Sequence, residues 1–174
     1  MVPTRRADFP FPVPIVSAII ERQRGKVTEL LVQVRWKPER DPVYTGTLEI
    51  PAGGIGLYEN VYDALTREVF EETGLRVIGF RPDVRTKTHS HKGDDVFAFV
   101  PFCCQQQLSG MARVGFVFVC TVEGTDPTPA PDEVKEITWM GTSELRRLID
   151  ESPERFFTFQ LPVLEFYLHQ CAEA

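Results

Sequence analysis

The chain has 174 residues, 43% hydrophobic and 25% charged, enough for one globular domain over 1–174 and too apolar for disorder. Nineteen Lys and Arg stand against 25 Asp and Glu, a formal net charge of -6. That balance argues against a nucleic-acid polymer or an anionic membrane as partner, since both need a basic face.

Residues 1–14 are interrupted by Pro3, Pro10, Pro12 and Pro14, which leaves no apolar core of signal-peptide type. No later run approaches membrane-spanning length, so a cytoplasmic protein is expected. Residues 13–20, apolar and partly β-branched, read as a strand that turns near Gly25 into a hairpin partner at 30–34. A polar loop over 37–42 leads to a short strand at 48–50, which Pro51-Ala52-Gly53-Gly54 is expected to break. The clearest helix is 61–73, with Asn60 as N-cap, Asp63 three places later, and Gly74 placed to end it. The apolar runs 96–104, 114–122 and 134–140 read as strands, the last preceded by a proline-rich loop over 126–131. Helices around 143–150 and 161–170 close the chain. Strands on both sides of one long helix predict an α/β chain of the α+β type, a mixed sheet sandwiched by helices. Cys103, Cys104, Cys120 and Cys171 show no zinc-ligand spacing and are expected to be reduced, packed thiols.

The segment 53–75, GGIGLYENVYDALTREVFEETGL, carries the chemistry. It opens on Gly53-Gly54, places Glu59 six positions after Gly53, and continues Arg67-Glu68-Val69-Phe70-Glu71-Glu72-Thr73-Gly74-Leu75. At roughly 100° per residue, Glu68, Glu71 and Glu72 fall within a sector of about 100°, shared with Val61, Ala64 and Leu65. Three anions on one face repel one another and raise their own pKa values. A divalent cation removes the conflict, and oxygen-only ligands favour a hard ion, Mg²⁺ first and Mn²⁺ second. Such an ion neutralises and orients a diphosphate and lowers the pKa of a bound water that attacks phosphorus. Glycines let the backbone approach closely, and Arg67, one turn before Glu71, can hold a carboxylate in an ion pair. An Arg-Glu and Glu-Glu run alone would read as a solvated acidic helix. The complete spacing sets this segment apart.

The segment resembles the Nudix box: a glycine, five residues, Glu, seven residues, then Arg-Glu-apolar-any-Glu-Glu-any-Gly-apolar. Every fixed position is matched without a gap. The resemblance implies the Nudix-like α/β/α sandwich with a mixed sheet, and a Nudix hydrolase that cleaves a pyrophosphate bond by metal-activated water. It further implies Glu68, Glu71 and Glu72 as metal ligands, a backbone carbonyl from Gly53, Glu59 as a supporting carboxylate and Arg67 in an orienting role. Nudix enzymes often draw a further acid or base from a late loop. Here that loop carries Asp132, Glu133 and Glu136, with Glu133 the candidate base and simple solvent exposure the alternative.

The phrase Leu48-Glu49-Ile50-Pro51-Ala52-Gly53-Gly54 resembles the lead-in to the box of ADP-ribose pyrophosphatases and related nucleotide-sugar enzymes. Where those enzymes usually carry a proline beyond the box, this chain has His89 and Ser90. The small-molecule substrate implied is a nucleoside diphosphate derivative of the ADP-ribose or nucleotide-sugar type. The alternatives are a nucleoside triphosphate pyrophosphatase that sanitises the nucleotide pool, which shares the box, and a non-catalytic nucleotide-binding Nudix domain, which typically lacks glutamates kept here. A homodimer is compatible with the resemblance.

Outside the box, Arg35, Trp36 and Lys37 end a strand and are candidates to stack on a base and hold phosphate. Arg81, Arg85, Lys87, His89, His91 and Lys92 form a local basic stretch. Arg35 and Arg85 are the substrate-binding candidates chosen from these groups, with a solvated loop or strand end as the plain alternative. Phe156, Phe157 and Phe159 read as core or dimer-contact residues.

Overall fold

A computed structural model describes residues 11–124 and 126–173. The segment before Phe11, with Pro3 and Pro10, lies outside the described residues, as does the side chain of Cys171. Strand β1 (Val13–Arg24) and strand β2 (Val27–Arg35) form the expected hairpin. Gly25 begins its two-residue turn at φ 64°, a left-handed value that favours glycine. Two short strands follow, β3 (Leu48–Glu49) and β4 (Ala52–Gly54), and then helix α1 (Val61–Thr73). Next come β5 (Arg76–Arg81), β6 (Val84–Arg85), β7 (His89–His91), β8 (Asp94–Val96), β9 (Phe99–Val100) and β10 (Cys103–Gln106). The chain ends with β11 (Arg113–Glu123), β12 (Val134–Gly141), α2 (Thr142–Glu151) and α3 (Leu161–Glu173).

Eight strands make the main sheet, along the path β10-β11-β1-β2-β12, with β3 beside β2, β4 beside β1 and β5 beside β11. The sheet is mixed: β1 runs parallel to β11 and antiparallel to β2 and β4. β1 also changes partner along its length. Ile15 to Ser17 pair with β4, and from Glu21 onward the strand pairs with β2. The sheet therefore forks at the middle of β1.

Side chains of a strand alternate between faces, so each inner strand feeds two cores. Val16, Ala18 and Ile20 of β1, with Leu31, Phe118 and Cys120, pack under Val61, Leu65 and Val69 of α1. Ile19, Leu30, Val32, Val117 and Val119 face the other way, against Leu145 and Ile149 of α2 and Leu164 and Tyr167 of α3. Each fully buried aliphatic side chain contributes about 1.5–3 kcal/mol relative to exposure. The result is the expected sandwich, a mixed sheet between one helix and a helix pair. Among the described residues no helix is long and apolar enough to cross a membrane.

Two expectations of strand layout need correction. The run 96–104 is not one strand but parts of β8, β9 and β10, broken at Phe97-Ala98 and again at Pro101-Phe102, where the proline nitrogen has no hydrogen to give a ladder. Ala52-Gly53-Gly54, expected to break the pattern, instead pairs with β1 as β4. The residues just past the box helix, on which the sequence offered no reading, form β5 along β11. Of the cysteines expected to be packed, Cys103 lies against the core and Cys120 is buried, but Cys104, the next residue along the strand, faces out and is exposed; all three are free thiols.

Candidate active site

Helix α1 is fixed at both ends. The Asn60 side chain accepts from the Tyr62 backbone N–H at 2.9 Å, and Gly74, at φ 71°, donates its N–H to the Phe70 carbonyl. Leu65, Val69 and Glu72 lie at helical spacing on the buried stripe, so the packing that seats the helix also draws the Glu72 carboxylate inside. Glu72 is 2% exposed. Its Oε2 accepts from Gln33 Nε2 at 2.8 Å and from the Ala52 N–H at 3.1 Å. Its Oε1 is buried with no hydrogen-bond partner among the described residues, and the nearest cation is Lys37 Nζ at 3.8 Å. Burial, reinforced by the nearby Glu49 carboxylate, pushes the Glu72 carboxyl up to about 8. Burial also raises Glu49, against the opposing charge of Arg35.

Arg67 gathers the rest of the box. Its Nε and Nη2 clasp the two oxygens of Glu59 at 2.8 and 3.0 Å, and Nη2 also reaches the Gly54 carbonyl at 3.0 Å. Its Nη1 donates to Glu68 at 2.7 Å and to Glu71 at 3.0 Å. With the Gly56 N–H added at 2.7 Å, Arg67 holds the Glu59 carboxyl down at about 2. Glu68 is shifted the other way, raised by burial against the pull of Arg67. A Cβ built on Gly53 would fall on the Glu68 carboxylate, so only glycine leaves that carboxylate its place against the β4 backbone.

These groups open onto one cleft of about 550 Å³. Gly53, Glu68, Glu71 and Glu72 form one side, and Lys37, Arg40 and Glu133 are also in its lining. Lys37 Nζ lies 2.7 Å from Glu133, and Arg40 Nη1 lies 3.3 Å from it. Burial alone would raise the Glu133 carboxyl, but the hydrogen bond and charge of Lys37, helped by Arg40, hold it below the usual range. Among the described residues no three His, Cys, Asp or Glu side chains converge into a metal-binding group. The donor chemistry still suits a hard cation, because all donors are oxygens and one of them, Glu72 Oε1, is buried and unpaired.

A protein-family profile describing the NUDIX domain matches residues 12–160. The chain belongs to the NUDIX family. The match spans the sheet, the box helix α1, α2 and the whole cleft, well beyond the box, and stops just short of α3. Solved NUDIX structures share the fold. A NUDIX hydrolase from Nitrosomonas europaea superposes with a TM-score of 0.60 at 22% identity, over 93% of this chain and 90% of that one. A MutT protein from Methanosarcina mazei Go1 gives 0.59 at 16% identity, over 93% and 96%. The NUDIX domain of Shewanella oneidensis NrtR, complexed with ADP ribose, gives 0.57 at 13% identity, over 87% and 92%. No curated protein matches the chain.

Within the NUDIX fold, Gly53, Arg67, Glu68, Glu71, Glu72 and Glu133 are brought together, and two other candidates are not. Arg35 is tied to Asp41 at 2.8 Å and Glu49 at 3.1 Å, with Phe157 against its guanidinium, and it does not line the cleft. Arg85 lies over the Tyr62 ring at 4.5 Å and pairs with Asp83 at 3.2 Å, again away from the cleft lining. The cations that do line it are Lys37, a candidate with Arg35 and Trp36 but not chosen from that group, and Arg40, which the sequence did not single out. Gln33 and Glu49, buried behind Glu72, also escaped notice. One signal was available for Gln33: an amide in an otherwise apolar strand is buried only where it has partners.

Proposed function

We propose that this NUDIX chain hydrolyses a pyrophosphate bond in a nucleoside diphosphate derivative of the ADP-ribose or nucleotide-sugar type. The observation that carries this is the single cleft in which the box carboxylates, the Gly53-Gly54 backbone and the Lys37-Arg40 pair meet. In this reading Glu68, Glu71 and Glu72 hold Mg²⁺, or Mn²⁺, with the Gly53 carbonyl as a further donor. When bound, the ion supplies charge neutralisation on the diphosphate and an acidified water.

The chain's own residues do the rest. Arg67 keeps Glu68 and Glu71 at the cleft edge and fixes Glu59 beneath the glycine turn. Gln33 and the Ala52 N–H orient Glu72 so that its unpaired Oε1 is left over. Glu133, ionised and across the cleft, serves as the base that takes a proton from the attacking water. The ADP ribose bound to the NrtR domain supports the substrate class, because that domain shares this fold.

The test is a panel of nucleoside diphosphate sugars, ADP-ribose and nucleoside triphosphates, each with Mg²⁺ or Mn²⁺, products identified by mass. Turnover of the diphosphate derivatives, giving a nucleoside monophosphate and a sugar phosphate, is the expected result. Preferential release of inorganic pyrophosphate from triphosphates would replace the substrate class. No turnover of any member would remove the enzyme reading.

A further inference from the structure

Lys37 and Arg40 lie on the segment that leaves β2, and both reach across to Glu133 on the segment that enters β12. Each oxygen of the Glu133 carboxylate has its own cation: Oε2 has Lys37 Nζ at 2.7 Å, and Oε1 has Arg40 Nη1 at 3.3 Å. The two segments are also stitched by backbone, with the Trp36 N–H donating to the Glu133 carbonyl at 2.7 Å. Lys37 and Arg40 line the cleft of the box carboxylates and also an adjoining hollow of about 330 Å³ bounded by Trp36, Pro131 and Asp132. With Pro131 and Asp132, they are common to the linings of both spaces.

Lys37 is largely buried between Glu133 and Glu72, but packing does not call for Arg40 there. The Arg40 side chain is 72% exposed, and an ion pair of that kind contributes about 0–1 kcal/mol to stability. Two bases gripping the two oxygens of one anion, at the rim of an acidic cleft, instead present the contact pattern that a phosphate group satisfies with two of its oxygens. We infer that Lys37 and Arg40 are the subsite for the substrate's phosphate oxygens, and that Glu133 occupies it as a built-in competitor until a phosphate displaces it. The exchange swaps one anion for another between the same two cations. It also frees the Glu133 carboxylate at the moment substrate arrives, which couples the base to occupancy. The placement of this subsite rests on the hydrolase reading, but its test does not.

The test is calorimetric titration with inorganic pyrophosphate, in chelator and again with Mg²⁺. Lys37→Met is expected to weaken binding about tenfold or more, and Arg40→Ala about threefold, as charge-assisted hydrogen bonds are lost. Glu133→Gln is expected to tighten binding severalfold, because the competing charge is gone. In the Lys37→Met background that gain is expected to disappear. A residue with a merely structural role would not tighten binding when altered. Affinity unchanged in Lys37→Met, or weakened in Glu133→Gln, overturns the inference. Should Lys37→Met fail to fold by circular dichroism, the sign of the change in Glu133→Gln, an isosteric swap on the surface, decides alone. Absence of turnover in the wild type would defeat the hydrolase reading while leaving these binding results to stand or fall separately.

Discussion

The Gln33 side-chain amide donates to Glu72 Oε2 at 2.8 Å, although the two residues are 39 apart in the chain. The same nitrogen lies 3.3 Å from Glu49 Oε1, so one amide stands between two buried carboxylates. Gln33→Leu removes that donor and leaves both acids facing each other. A buried group stripped of its partner costs about 1–3 kcal/mol. Differential scanning calorimetry should show a Tm several degrees lower, and titration with Mg²⁺ should show weaker binding. Wild-type values for both would mean that Gln33 neither supports the fold nor positions Glu72.

Glu72 gives a pH dependence with a definite sign. In metal-free protein its folded-state value is about 8, against an ordinary 4.5. Between those values the folded chain holds a proton that the unfolded chain releases, so stability falls as pH rises through that window. A Tm series in chelator, from about pH 5 to about pH 8.5, should therefore decline. In Glu72→Gln the decline should be shallower, with a remainder from Glu49 and Glu68, which are raised as well. Parallel series for the two proteins would disprove the assignment. The same variant should lose nearly all turnover while folding normally.

Gly53→Ala separates site from scaffold. The atoms nearest the added methyl would all belong to the Glu68 carboxylate, the far end of a flexible side chain, so the fold can absorb it by moving that carboxylate. Circular dichroism and Tm should stay close to wild type. Turnover should fall by about tenfold or more, given the sensitivity of catalysis to sub-ångström placement. A fully active Gly53→Ala enzyme would show that the position of Glu68 is not critical.

For Glu133→Gln, kcat and KM should fall together. Loss of a general base lowers kcat by about 10²–10⁴. Release of Lys37 and Arg40 from their internal partner lowers KM. Steady-state kinetics on the best substrate of the panel reads both. An unchanged kcat removes Glu133 as the base.

The box helix was legible residue by residue, because Asn60, Gly74 and the stripe of Val61, Leu65 and Val69 are local signals that need no partner. The two cores have a local basis too, since the uninterrupted apolar runs of β1 and β11 suit strands buried on both faces. β4 was not, because its two glycines carry no strand preference and the pairing with β1 is backbone alone. The cleft wall was hidden as well. Glu133 is more than ninety positions from both Lys37 and Arg40, and the β2-β12 pairing brings them face to face. Arg35 misled for a related reason: a cation at the end of a strand reads the same whether it serves a ligand or, as here, neutralises a buried Glu49.

The forked strand has a consequence for how the protein comes together. β1 sets the height of β4 on one stretch and of β2 on the next, so the glycine turn, Gln33 and Lys37 take their positions from one ruler. Sliding that strand by a single residue would exchange its two oily rows and carry Gly53 away from Glu68 in the same movement. Misassembled chains would therefore be both unstable and inert, and quality control of the scaffold doubles as quality control of the chemistry.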